Sequence, residues 1–158
     1  MRIPLLVAAT ALLAFAGCVC KPMPERFATG GPNTVCILSG DSAFKKEVAA
    51  KVAATLEAKG RTVIRDKVKN AGRCRAADFG GVVYITEYRF GHTPRHAARY
   101  FQRNGEAPNI VFVITAGDSV LKMKIPFDAV TSASKMDDTD RVADEVVRRL
   151  DAAMERGN

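Results

Sequence analysis

The chain contains no Gly-x-Ser-x-Gly elbow, no His-Glu-x-x-His pair and no Cys-x-x-Cys motif, so the local signatures of serine hydrolases, zinc proteases and thioredoxin-type proteins are missing. Histidine is scarce. His92 and His96 lie four residues apart, and two ligands with no third near them in sequence do not define a metal site, so surface histidines are expected. Internal repeats and low-complexity tracts are absent as well. With 47% apolar and 26% charged residues the composition is near the globular average, which excludes a wholly disordered, collagen-like or polytopic membrane protein. The apolar run of residues 3–15 is too short to cross a bilayer comfortably. It is followed by Lys21-Pro22-Met23-Pro24-Glu25, a polar, proline-broken stretch that cannot continue a helix.

What is present fits one domain in 158 residues. Lys and Arg number 24 against 17 Asp and Glu, and the net charge of +7 is spread along the chain, a mild bias toward anionic partners. Met1-Arg2 gives a positive start, the apolar run follows, and small residues precede Cys18, which together read as an export signal. Two processing patterns fit. Phe15-Ala16-Gly17-Cys18 resembles a bacterial lipobox, which would make Cys18 a lipidated membrane anchor, whereas Ala14-Phe15-Ala16 fits the small-x-small rule of ordinary secretion. The proline-rich stretch after Cys18 favours the lipoprotein reading. The predicted organisation is a signal peptide over 1–17, a lipidated tether over 18–33 and a folded domain over 34–158, held at the bacterial cell envelope. Export disfavours nucleic acid as a partner. Lipidation leaves Cys20, Cys36 and Cys74, and Cys36 falls in an apolar run where a small buried thiol is expected.

Residues 34–38 are apolar and β-branched, as a strand requires, and Ser39-Gly40-Asp41-Ser42 supplies turn and helix-capping chemistry. Phe44, Val48, Val52 and Leu56 then recur at helical spacing up to Gly60. Residues 61–67 read as a shorter, more polar edge strand, and 68–79 as a short helix or loop. The continuous apolar runs 82–86 and 110–114 read as strands covered on both faces. Between them Thr93-Pro94 starts a helix with Ala97, Tyr100 and Phe101 on its apolar side. Residues 120–125 alternate as a half-exposed strand would, 129–132 form one more short strand, and a last helix from about Asp137 rests on Val142, Val146, Leu150 and Met154.

Strand alternating with helix predicts a parallel sheet wrapped on both faces, with ligands beyond the carboxyl ends of the strands. The order and spacing of the elements resemble the flavodoxin family over residues 34–118. Tyr88-Arg89-Phe90-Gly91-His92, followed by a helix, is similar to the loop after the third strand in the branch that includes menaquinone-dependent protoporphyrinogen oxidase. The resemblance implies a three-layer α/β sandwich with a mostly parallel, about five-stranded sheet. It also implies FMN, with Ser39, Gly40, Asp41 and Ser42 as the phosphate loop and Tyr88, Phe90, Gly91 and His92 beside the flavin ring. Read as residues alone, Asp41 and Ser42 serve equally well as helix caps, and Tyr88 and Phe90 as cover for the sheet end. Arg95, Arg99 and Arg103 are four apart and form a positive stripe, either a solvated helix face or a contact for lipid headgroups, an envelope polyanion or an acidic partner. Two functions follow: an FMN-dependent electron carrier or oxidoreductase, or a non-enzymatic envelope protein that keeps the fold and binds a partner or anionic ligand.

Overall fold

A computed structural model describes residues 30–88, 94–104, 107–117 and 129–156. Five strands, β1 (Gly31–Ser39), β2 (Thr62–Lys67), β3 (Phe79–Glu87), β4 (Ile110–Thr115) and β5 (Ala129–Ser132), form a sheet in the order β2-β1-β3-β4-β5. Every pairing is parallel. The helices are α1 (Ala43–Ala58), α2 (Arg95–Asn104) and α3 (Thr139–Arg156). β1 begins at Gly31, a little before the predicted start at Thr34.

The sequence pattern explains the layers. The central strands β1, β3 and β4 are apolar on successive residues because both of their faces are covered. On one face Phe44, Val48, Val52 and Leu56 of α1 and Val142, Val146, Leu150 and Met154 of α3 pack with Val35, Ile37, Val83 and Val113. On the other face Cys36, Leu38, Tyr84 and Phe112 meet Ala97 and Tyr100 of α2. The cover of this second face is thinner. Between β2 and β3 the chain forms only the 3-10 segments Val68–Arg73 and Ala76–Asp78, in the stretch expected to be a short helix or loop. No run of apolar residues at helical spacing is available there to support a full helix.

Two glycines have a definite conformational task. Gly60, at φ 76°, takes the left-handed turn that ends α1, and Arg61 N–H returns to the Leu56 carbonyl at 3.0 Å. A Cβ on Gly81 would lie 2.7 Å from Leu150 Cδ1, so the missing side chain lets α3 rest directly on β3. Helix α2 starts at Arg95, with the Pro94 carbonyl accepting from Ala98 N–H at 3.0 Å, one residue later than the first-turn proline expected. The alternating stretch 120–125 lies outside the described residues, as do residues 1–29 with the expected signal, Cys18 and most of the expected tether, whose last residues, 31–33, belong to β1.

Candidate functional site

The strand order reverses between β1 and β3, and a parallel sheet opens a crevice beyond the carboxyl ends of the strands at such a point. Ser39 ends β1 and Glu87 ends β3. Gly40, Asp41 and Ser42 form the connection to α1. Ser42 is the N-cap of α1: its backbone is extended and its Oγ accepts from Lys45 N–H at 3.4 Å. Asp41 neither caps the helix nor turns into the crevice. Its carboxylate lies 2.9 Å from Lys67 Nζ at the end of β2, and that contact holds its pKa below the usual carboxylate range.

The residue that fills the crevice was not singled out from sequence. Lys45 sits in the first turn of α1 and is 4% exposed, with its ammonium ion-paired to Glu87 at 2.5 Å. Its stem covers Gly40, since a Cβ there would lie 3.1 Å from both Lys45 Cδ and Nζ. Gly40 N–H is also spent, donating to the Ile85 carbonyl at 3.0 Å. The switch point is therefore bridged twice, by a backbone hydrogen bond and by an ion pair whose lysine is buried and whose glutamate is half-buried. Polar residues at the start of a helix normally face water, so nothing in the pattern marks Lys45 as buried.

Next to this bridge stands His96, exposed on α2, with Nε2 3.2 Å from Thr86 Oγ1 and its ring stacked on Tyr84 at 6.4 Å between centroids. Desolvation against these neighbours lowers its pKa below the ordinary 6.5, an effect opposed by the Glu87 carboxylate and reinforced by Lys45. A histidine whose folded pKa is depressed favours the folded state only while neutral. Its contribution is complete above about pH 6.5 and is lost as the pH falls through that value toward the folded pKa. Proton NMR should place the His96 titration midpoint below 6.5; a midpoint at or above it would show that the Tyr84 and Thr86 contacts do not persist in solution.

Tyr88 follows β3, with its N–H donating to the Thr115 carbonyl at 2.7 Å, so it stands at the same sheet edge as Ser39 and Gly40. Phe90, Gly91 and His92 lie outside the described residues. Cys36 and Cys74 are both free and buried, as expected for Cys36, and Cys74 Sγ lies 3.6 Å from the Tyr100 hydroxyl. The neighbouring Cys74 thiol and burial push the Cys36 thiol up, away from thiolate chemistry. Among the described residues no group of three or more His, Cys, Asp or Glu is placed to hold a metal ion.

An FMN phosphate, which the resemblance would place on Ser39, Gly40, Asp41 and Ser42, does not fit the crevice as it stands. The Gly40 donor is engaged, the Lys45 stem occupies the space above Gly40, and Glu87 adds a carboxylate, while the Ser42 oxygen already accepts from Lys45 N–H. The ammonium an anion would meet above Gly40 is already held by Glu87; Lys46, Arg65 and Lys67 border an open pocket on the other side of the loop, with Lys67 held by Asp41.

No protein-family model matches the chain, and no curated protein matches it. Solved structures do share its architecture. A flavodoxin from the domain Archaea is similar at 8% identity with a TM-score of 0.53, covering 76% of this chain and 97% of that one. Rubredoxin oxygen:oxidoreductase from the anaerobe Desulfovibrio gigas is similar at 17% identity with a TM-score of 0.51; the match covers 77% of this chain but only 37% of the oxidoreductase. The protein has a flavodoxin-like α/β fold, a five-stranded parallel sheet between two helical layers.

Proposed function

We propose that this protein is a lipid-anchored binding protein of the bacterial cell envelope that uses the flavodoxin-like sandwich as a scaffold and works without a flavin. The observation that carries the reading is the Lys45–Glu87 pair across the β1/β3 switch point, in the place where this fold most readily receives a ligand. The pairing neutralises the Lys45 ammonium internally, so Lys45 itself offers little net attraction to a phosphate. The anchor rests on Cys18 and the small residues before it.

A second reading, an FMN-binding electron-transfer protein, is favoured by the placement of Ser39, Gly40, Asp41, Ser42 and Tyr88 at one sheet edge. In that case the chain's residues would hold the phosphate with Lys45, turned away from Glu87, and with the N–H groups at the start of α1. The flavin would supply the redox chemistry. The two readings separate on the purified protein. The first expects a colourless protein that fails to bind FMN at high micromolar concentration. Retained yellow colour, or affinity of micromolar or better, about 8 kcal/mol, would establish the second. The anchor is tested by expressing Cys18→Ser, which should leave the membrane fraction or accumulate unprocessed; soluble wild-type protein beginning at Gly17 would refute lipidation.

A further inference from the structure

Charge is divided unequally between the two helical layers. Helices α1 and α3 together carry seven basic and seven acidic residues. The opposite layer, made of Val68–Asp78 and α2, carries six basic residues and a single acid, Asp78. Nearly all the excess positive charge of the described helical layers therefore lies on one side. Lys69, Arg95, Arg99 and Arg103 line a groove of about 580 Å³ between Val68–Arg73 and α2, floored by Val68, Ala71 and Gly72. Among the described residues none of these four cations is ion-paired, whereas the arginines of α3 at 141, 148 and 149 are all matched to Asp138 or Glu145. The three arginines of α2 recur every fourth residue, about 6 Å apart along the helix, so they form a row and not a single point charge.

The place where the chain enters the domain adds a second argument. Gly30 N–H donates to the Asp78 carbonyl at 3.1 Å, so the segment upstream meets the domain beside Ala76–Asp78, at the border of the basic layer. Eleven residues, or twelve Cα steps, separate Cys18 from Gly30. Fully extended they would reach about 40 Å, comparable with the diameter of a domain of this size. Such a tether keeps the domain near the surface that holds its lipid but does not choose which face turns toward it. The choice falls to charge.

We infer that the layer formed by Val68–Asp78 and α2 is a membrane-facing surface, which lays the domain against anionic phospholipid with headgroup phosphates between Lys69 and the arginine row of α2. The inference rests on the lipid-anchor reading for its geometry. Arginine suits this task because its planar fork meets two phosphate oxygens at once and is weakly hydrated. Attraction to an anionic surface grows with each basic residue near it and is screened by salt. The opposite layer, with equal numbers of both signs, offers a membrane no comparable field.

The experiment uses the purified, processed full-length protein on vesicles of phosphatidylcholine alone and of phosphatidylcholine with phosphatidylglycerol, read by amide hydrogen exchange. On anionic vesicles the amides of 68–78 and 95–104 should gain protection at least tenfold over neutral vesicles. High salt should remove the gain, and so should the double variant Arg99→Glu and Arg103→Glu. Both side chains are exposed and, among the described residues, free of ion pairs, so circular dichroism should show the variant folded. Protection equal on the two vesicle types, or gained on α1 and α3 instead, overturns the inference. So does loss of protection on adding millimolar glycerol phosphate, which would make the groove a site for a small phosphate ester, or protection gained with soluble polyglutamate but not with vesicles. Failure of the anchor reading is visible separately, as protein that does not float with neutral vesicles, while the anionic arm still reports on the face.

Discussion

Truncating Leu56 to alanine should destabilise the protein by about 2–5 kcal/mol, measured by denaturant unfolding. Leu56 is fully buried in the layer where α1 meets the sheet and α3, among Val52, Ala53 and the edge-strand residue Val63. The cost has two parts: the transfer free energy of the lost methyl groups and the cavity left where α1 cannot collapse inward. Collapse is resisted because α1 is fixed at both ends, by the Ser42 cap and by the Gly60 turn, whose hydrogen bond from Arg61 N–H ends on the Leu56 carbonyl itself. A loss within error of zero would mean that α1 presents a different face to the sheet.

The second large effect concerns the ion pair, and the two partners should differ. Replacing Glu87 by alanine leaves the Lys45 ammonium buried without its carboxylate, and should cost about 2–4 kcal/mol, toward the lower end of the range for broken buried pairs because the Glu87 side chain keeps 32% of its surface in water. Replacing Lys45 by methionine keeps an unbranched stem over Gly40 and leaves Glu87 a carboxylate that water can reach, so the loss should stay within about 1 kcal/mol. The order of the two variants is the test. If Lys45→Met were the more damaging, the ammonium would be engaged by something beyond Glu87 and the flavin-free reading of the crevice would lose its basis. Glu87→Ala should also lower the His96 midpoint further, since the carboxylate is the group that raises it.

The sheet and its main helices were legible because their signals are long and repeated. Phe44, Val48, Val52 and Leu56 at helical spacing, and the uninterrupted runs of β3 and β4, can hardly be placed anywhere but in a covered parallel sheet. Residues 129–132 were recognisable as a strand despite being only four residues long. The site was less legible. Ser42 was identifiable as a cap, but Asp41 and Ser42 are equivalent in a sequence, and only the register of β1 against β2, which sets Ser39 opposite Lys67, brings Lys67 within reach of Asp41. Lys45 and Glu87 are 42 residues apart, and their meeting depends on β1 and β3 being neighbours. Local pattern carries no information on such a pair. The arginine row of α2 was visible as a stripe, whereas its partner wall, with Lys69, required knowing that Val68–Arg73 packs beside α2.

The position of β1 inside the sheet has a consequence for how the chain reaches this state. β1 is the first strand to leave the ribosome, yet both of its partners, β2 and β3, come later, and each parallel pairing closes a loop containing a crossover. Until residues up to about 67 are available, the apolar segment 35–38 has no edge to join, and its second partner must wait until about residue 85, so both pairings depend on contacts remote in sequence. Folds dominated by such contacts assemble slowly, because loop-closure entropy is lost before any pairing compensates for it. The apolar segment 35–38 thus stays unpaired through the early part of synthesis, and the buried core of the sheet closes only after most of the chain has been made.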